Sequence, residues 1–244
     1  MAPYSATTEV YNMNDKNRIY KYILIYIYLL VIIAFIMYRY PGLVDYHENQ
    51  DIKYNKLSHE EYVLGAYLKD KDKFDVSNMH FPVAVPGDME DYIYYSDSYG
   101  ADRTYGGDRV HEGCDIMTVH NTRGELPIVS VCDGVIEKIG WLELGGYRVG
   151  IRSESGVYYY YAHLYDYADN IREGDTVSAG QIIGYIGDTG YSKVEGTTGN
   201  FAVHLHFGIY VYDKAGNEYT LNPFPLLKGL EESVIKYTIN CSYK

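Results

Sequence analysis

Residues 201–211, FAVHLHFGIYV, alternate so regularly that they specify a β-strand with one buried face. Phe201, Val203, Leu205, Phe207, Ile209 and Val211 fall on one side, which reads as core, and Ala202, His204, His206 and Gly208 fall on the other. Two imidazoles two residues apart therefore project side by side, bounded by small residues that leave room for a ligand. A single histidine on such a face is usually a structural or surface residue. A pair at HxH spacing points to a metal or catalytic site.

The surrounding chain has the same texture. Beyond Phe81, short runs rich in Val, Ile and Tyr are broken by Gly, Asp and Asn, as in LPIVSVCDGVIEKIGWL, YRVGIRSESGVYYYYAHL and QIIGYIGDTG. This predicts a mainly β, mostly antiparallel domain, with hairpin turns at Arg123-Gly124, Gly145-Gly146 and Ser155-Gly156. The 31 tyrosines suit it, because rings pack well on a pleated surface. A net charge of −12, from 21 basic and 33 acidic residues, excludes a phosphate-binding surface and hence a nucleic-acid partner.

A second cluster, RVHEGCDIM, supplies what the HxH strand lacks. On a strand His111, Gly113 and Asp115 share a face, and Gly113 leaves the space between imidazole and carboxylate open, which is a chelating geometry. The competing reading is an HExxH-like helix with Glu112 as general base. Against it, Asp115 stands where the second His belongs, Gly113 weakens a helix, and Glu112 points away from the ligand face. Glu112 and Cys114 are accordingly read as structural or surface residues. Serine catalysis lacks a nucleophile elbow, and Cys114 lacks the electropositive setting that makes a thiolate.

Joining the clusters gives His111, Asp115 and His206, two imidazoles and a carboxylate, the usual complement for one catalytic Zn2+ that keeps its fourth position for water. His204, beside a ligand on its strand, and His163, in YYYYAHL on the face of Tyr159 and Tyr161 and by itself equally readable as a packed strand residue, are left over. Together they supply the proton transfer and oxyanion stabilisation that metal-assisted amide hydrolysis needs without a Glu base. His120, in an expected hairpin turn, is left out. Cys114, Cys132 and Cys241 are too few for a disulfide framework. Free thiols are the simpler reading, with a Cys114–Cys132 bridge as the alternative.

From about Tyr92 to Leu227 these residues resemble the lysostaphin-type zinc metallopeptidases with LytM-like domains. The resemblance is carried by His111 to Asp115 as HxxxD, CDGVIEKIGW, Tyr161-Ala162-His163-Leu164, REGDTVSAGQIIGYIGDTG, and His204-Leu205-His206-Phe207. It implies a twisted antiparallel β-sheet with the metal on the floor of a narrow groove. It also implies His111, Asp115 and His206 as zinc ligands, His163 and His204 as catalytic histidines, and peptide bonds of peptidoglycan stems or cross-bridges as substrate. The mechanism has zinc lowering the pKa of its bound water and polarising the scissile carbonyl. His204 takes the water's proton and passes it to the leaving amine, while His163 hydrogen-bonds the oxyanion or orients the water. Compared with the family's short TGxSTGxHLH link, YSKVEGTTGNFAV inserts extra residues at the groove wall. The alternative function is a non-catalytic LytM-like scaffold in the envelope, although such relatives lose ligands or catalytic histidines and all five positions are filled here.

The N-terminal part follows different rules. Tyr22 to Tyr38 is an uncharged run, YILIYIYLLVIIAFIMY, extended by Ile19 and Tyr20, with Lys16, Arg18 and Lys21 before it and Arg39 after it. Its length suits a spanning helix, the basic residues favour a cytoplasmic N-terminus, and the terminal tyrosines suit the interfacial belt. No small-residue cleavage site follows, so a retained signal anchor is expected rather than a cleaved leader. The expected organisation is a cytoplasmic tail over 1–18, a transmembrane anchor over 19–38 and an extracytoplasmic linker over 39–80, with a short helix around Ser58 to Leu68. The zinc peptidase domain follows over 81–227, and a tail over 228–244 begins with a short helix entered through Asn222, Pro223 and Pro225. No wall-binding module is expected, which leaves a single-pass cell-membrane location, with the catalytic domain outside, to provide the targeting.

Overall fold

The computed structural model describes residues 22, 24–28, 67, 70–105 and 107–238. Residues 22 and 24–28 are helical and lie in a unit, Met1–Lys56, distinct from Leu57–Lys244. The anchor expected over 19–38 and the helix expected around Ser58 to Leu68 fall largely outside the described residues. Among the described residues no helix is long and apolar enough to cross a membrane.

The second unit is mainly β, as its alternating apolar runs require. In chain order the strands are β1 (Ile93–Tyr95), β2 (Asp102–Arg103), β3 (Arg109–Val110), β4 (Cys114–Thr118), β5 (Pro127–Val129), β6 (Gly134–Leu142), β7 (Gly146–Arg152), β8 (Tyr158–Leu164), β9 (Asp166–Tyr167), β10 (Thr176–Val177), β11 (Ile182–Tyr185), β12 (His204–Tyr212) and β13 (Glu218–Leu221). The main sheet runs β1-β4-β12-β8-β7-β6-β10, with antiparallel pairing throughout. β4 pairs with the first half of β12, His204 to Phe207, and β13 with its second half, Ile209 to Tyr212. A smaller sheet, β5-β11-β9, and the hairpin β2-β3 complete the architecture.

Two of the three expected hairpins form, at Gly145-Gly146 between β6 and β7 and at Ser155-Gly156 between β7 and β8. Gly156 takes φ +86, which an L side chain resists and glycine does not. The turn at Arg123-Gly124 is not a hairpin: it carries the chain from β4 in the main sheet to β5 in the smaller one.

Leu205, Phe207, Ile209 and Val211 of β12 are completely buried, in one apolar cluster with Tyr159 and Tyr161 of β8, Ile128 of β5 and Ile183 of β11. Full burial of such side chains contributes about 1.5–3 kcal/mol each. The Tyr161 hydroxyl accepts from the Val131 N–H at 2.9 Å, so its polar end is not orphaned in the core. The core also extends past both limits expected for the domain. Tyr67, Phe74, Val76 and Met79, in the stretch read as linker, are buried, and so is Leu230 beyond α1 (Phe224–Gly229). Val85 also bridges Lys236. Phe74, Val76 and Met79 stand singly among polar and charged residues with no strand or helix period, so only the packing reveals them. Cys114 and Cys132 are free and buried, and burial pushes both thiols up to about 12.

Candidate metal centre

β-sheet register brings the two histidine-bearing segments together. His206 of β12 lies opposite Asp115 of β4 on one side and opposite Ala162 of β8 on the other. His111 is not on a strand. β3 ends at Val110 and β4 begins at Cys114, so residues 111–113 bend, and the strand face expected to hold His111 with Asp115 begins only at Cys114. Only glycine fits at 113 in this path: a Cβ there would stand 2.5 Å from Cε1 of His206 and 2.6 Å from the Phe207 carbonyl. The room that Gly113 leaves is filled by the imidazole of His206.

The candidate ligand atoms of His111, Asp115 and His206 all lie within 4.8 Å of one another. His111 Nε2 is 2.8 Å from His206 Nδ1 and 3.0 Å from Asp115 Oδ1, and His206 Nδ1 is 3.1 Å from that oxygen. His111 Nδ1–H donates to the Ser98 carbonyl at 2.7 Å, which fixes the tautomer and leaves the Nε2 lone pair facing its neighbours. Tetrahedral zinc with bonds of about 2.0–2.2 Å separates its ligands by roughly 3.3 Å, so this donor triangle fits zinc after small relaxation. Burial alone would raise the Asp115 carboxyl, but the adjoining imidazoles of His111 and His206 outweigh it and hold the group well below the usual carboxylate range. Burial lowers His206, keeping it neutral. A carboxylate and a neutral imidazole are the protonation states that metal ligation demands.

The two further histidines stand against this triangle. His204 Nδ1–H donates to the Ala202 carbonyl at 2.7 Å, and its Nε2 lies 3.8 Å from Asp115 Oδ1. His163 reaches the site against simple alternation. Period two would place it with Tyr159 and Tyr161, both fully buried in the core, yet it lines the groove with Tyr160 and Ala162. Its φ is +65, and the β7–β8 register shifts between Tyr147 and Val149, so two consecutive residues of β8 face the same way. A left-handed residue of this kind costs about 1–2 kcal/mol. Hydrogen bonds from its backbone N–H to the Gly145 carbonyl and from its Nδ1–H to the Thr189 carbonyl, both 2.8 Å, hold it there. The rings of His163 and His204 are 4.8 Å apart between centroids. Burial lowers both histidines, so each offers a bare Nε2 lone pair at neutral pH.

Several groove residues have no motif to announce them. Arg103, delivered by the β2–β3 hairpin, donates from Nη2 to Asp115 Oδ2 at 2.6 Å. The only cue is ADRTYGGDRV, two short polar arms around Gly-Gly just before His111. Phe201, expected on the core face of the HxH strand, lies ahead of it, since β12 starts at His204, and packs on His163 at 4.5 Å and on His204 at 5.1 Å between centroids. Tyr191 stacks on Tyr105 at 4.3 Å and completes an aromatic wall. The inserted stretch YSKVEGTTGNFAV carries both Tyr191 and Phe201. It is pinned by buried Asp188, which accepts the guanidinium of Arg123 through both oxygens and the Gly199 N–H at 2.9 Å. The groove encloses about 630 Å³. Glu112 is exposed and Cys114 completely buried, and neither is among the donor atoms of the triangle.

Residues 109–222 match Peptidase family M23. The L-Ala–D-Glu endopeptidase of Bacillus subtilis (strain 168) is 40% identical over 157 residues, which are 64% of this chain and 45% of that protein, so the chain spans less than half of this relative's length. A solved structure of a candidate glycyl-glycine endopeptidase lytM from Ruminococcus gnavus ATCC 29149 is 48% identical, with a TM-score of 0.60 over 66% of this chain and 64% of that one. The catalytic domain of lysostaphin from Staphylococcus simulans is 32% identical, with a TM-score of 0.43 over 57% of this chain and 94% of that one.

Proposed function

We propose that this chain, whose residues 109–222 match peptidase family M23, is a zinc-dependent endopeptidase hydrolysing peptide bonds in peptidoglycan stems or cross-bridges. The observation that carries this reading is the close triangle of His111, Asp115 and His206, with two further neutral histidines, His163 and His204, beside it. The names of the relatives mark the two substrate alternatives, an L-Ala–D-Glu bond in a stem and a glycyl-glycine bond in a bridge.

His111 Nε2, Asp115 Oδ1 and His206 Nδ1 would hold the zinc. When bound, it supplies Lewis acidity for the attacking water and the scissile carbonyl. His204, with its Nδ1–H committed to the Ala202 carbonyl, has only the Nε2 lone pair left and takes the proton of the attacking water there, then returns it to the leaving amine. His163 has the same constraint through Thr189, so in the resting state it accepts a hydrogen bond and orients the water; donation to an oxyanion requires that it first be protonated. Phe201 and Tyr191 screen His163 and His204 from solvent on the wall side.

The membrane part of the reading rests on sequence. The uncharged run over 22–38 with its basic flank supports a retained anchor that holds the peptidase domain outside the cell membrane, facing the wall. The test of the activity is digestion of purified peptidoglycan by this protein, with mass analysis of the released fragments. New amino termini at stem or bridge bonds are expected, and intact peptides after zinc loading would sink the proposal.

A further inference from the structure

Arg148 stands apart from the other arginines that line the groove. Arg103 is neutralised by Asp115. Arg109 donates to the Tyr105 carbonyl at 3.2 Å and to the Tyr191 hydroxyl at 3.2 Å, and so braces the aromatic wall. Arg148 is half-buried on β7, and its Nη1 is enclosed without any acceptor among the described residues. The adjacent phenols cannot serve as counter-ions, since burial raises both Tyr158 and Tyr160. A guanidinium that is partly desolvated, lines a groove and has no carboxylate partner leaves its charge uncompensated until a ligand brings an anion.

The acidic groups of the same groove are gathered elsewhere. Glu112 and Glu218 both act on Tyr210, and Glu218 is hydrogen-bonded to Tyr212. Among the charges acting on Tyr160 Arg148 has the largest effect, and Tyr158 feels both Arg148 and Glu218. Acidic side chains thus collect around Tyr210, and Arg148 lines the groove from β7. β7, β8 and β12 are consecutive in the sheet, so Arg148 stands two strand spacings, about 10 Å, from the strand of His206. An extended peptide covers that distance in about three residues.

We infer that Arg148 is a carboxylate-binding subsite, which selects a stem peptide bearing a free carboxylate within about three residues of the scissile bond over an uncharged glycine bridge. The inference rests on the peptidase reading above and deepens it. A guanidinium suits the task because it presents two parallel N–H donors to one carboxylate. Neutralising that carboxylate as a carboxamide removes the charge and one acceptor while keeping the shape.

The full-length zinc-loaded protein and its Arg148→Gln and Arg148→Lys variants would be given two probes. One is L-Ala–D-Glu–L-Lys, joined through the glutamyl γ-carboxyl so that the α-carboxylate is free, and the other is the same peptide with that carboxylate amidated. Wild type is expected to show a kcat/KM ratio of about 10–100 in favour of the free carboxylate, the range for a hydrogen bond to a charged group. The effect should lie mainly in KM. In Arg148→Gln the ratio should fall to about one, and in Arg148→Lys it should be intermediate. Equal turnover of both probes by wild type, or an unchanged ratio in Arg148→Gln, overturns the subsite. Calorimetric binding of the same two peptides separates this from the peptidase reading. If wild type cleaves neither probe, tighter binding of the free carboxylate that disappears in Arg148→Gln still supports the subsite, and equal binding refutes it.

Discussion

Arg103 grips Oδ2 of Asp115 at 2.6 Å while Oδ1 of the same carboxylate faces His111 and His206. The two oxygens are thereby given different tasks, one tied to a guanidinium and one turned to the metal position. Arg103 is a positioning residue. Its replacement by Met should weaken zinc binding about 10–100-fold, the usual effect of removing a hydrogen-bond partner from a ligand. Competition with a chromophoric chelator reads this directly, and an affinity equal to wild type would show that the carboxylate is held without Arg103.

Zinc content tests the ligand assignment. The wild-type protein should carry about one zinc per chain, as one three-ligand site requires. Asp115→Ala, His111→Ala and His206→Ala should each lose it, with hydrolysis disappearing in parallel, and chelation of the wild type should do the same reversibly. Full metal content in any of the three variants removes that residue from the ligand set.

His163 and His204 should behave differently. Their Ala variants are expected to keep zinc and thermal stability while hydrolysis falls about a hundredfold or more, the scale of general acid–base and electrostatic contributions. If either variant complemented a deletion strain as well as wild type, the activity would not be the chain's biological role, and the scaffold alternative would replace it.

Gly113→Ala probes the bend between β3 and β4. The new methyl would collide with Cε1 of His206 and the Phe207 carbonyl, neither of which can retreat without disturbing β12. Overpacking of this kind costs about 1–3 kcal/mol. A lower Tm with reduced zinc content is the expected result, and a variant with wild-type values for both would mean that the bend has slack.

Topology is tested on cells. With a retained anchor over 19–38, protease added to wall-stripped cells should digest the region after Arg39 while the protein stays in the membrane fraction. A shortened, soluble product would show cleavage of the segment instead.

The sequence by itself determined the β class, the apolar face from Leu205 to Val211 and which three side chains, His111, Asp115 and His206, gather as candidate metal ligands. In each case a short-range rule suffices: alternation along one strand, and HxH and HxxxD spacing. Long-range packing decided the rest. His163 belongs by alternation to the core face of Tyr159 and Tyr161, and a single left-handed residue, held by Gly145 and Thr189, turns it into the groove. Phe201 left the core face because the strand begins three residues later than its pattern suggests. Arg103 meets Asp115 only because the β2–β3 hairpin carries it there, and Arg148 stands without an anion among the described residues because β7 lies on the far side of β8 from β12 and from Glu218 of β13. Alternation and spacing along one strand place none of these side chains in the groove. A backbone bulge and the encounter of charges from separate strands are settled by which strands become neighbours, and that is fixed only when the sheet closes over its core.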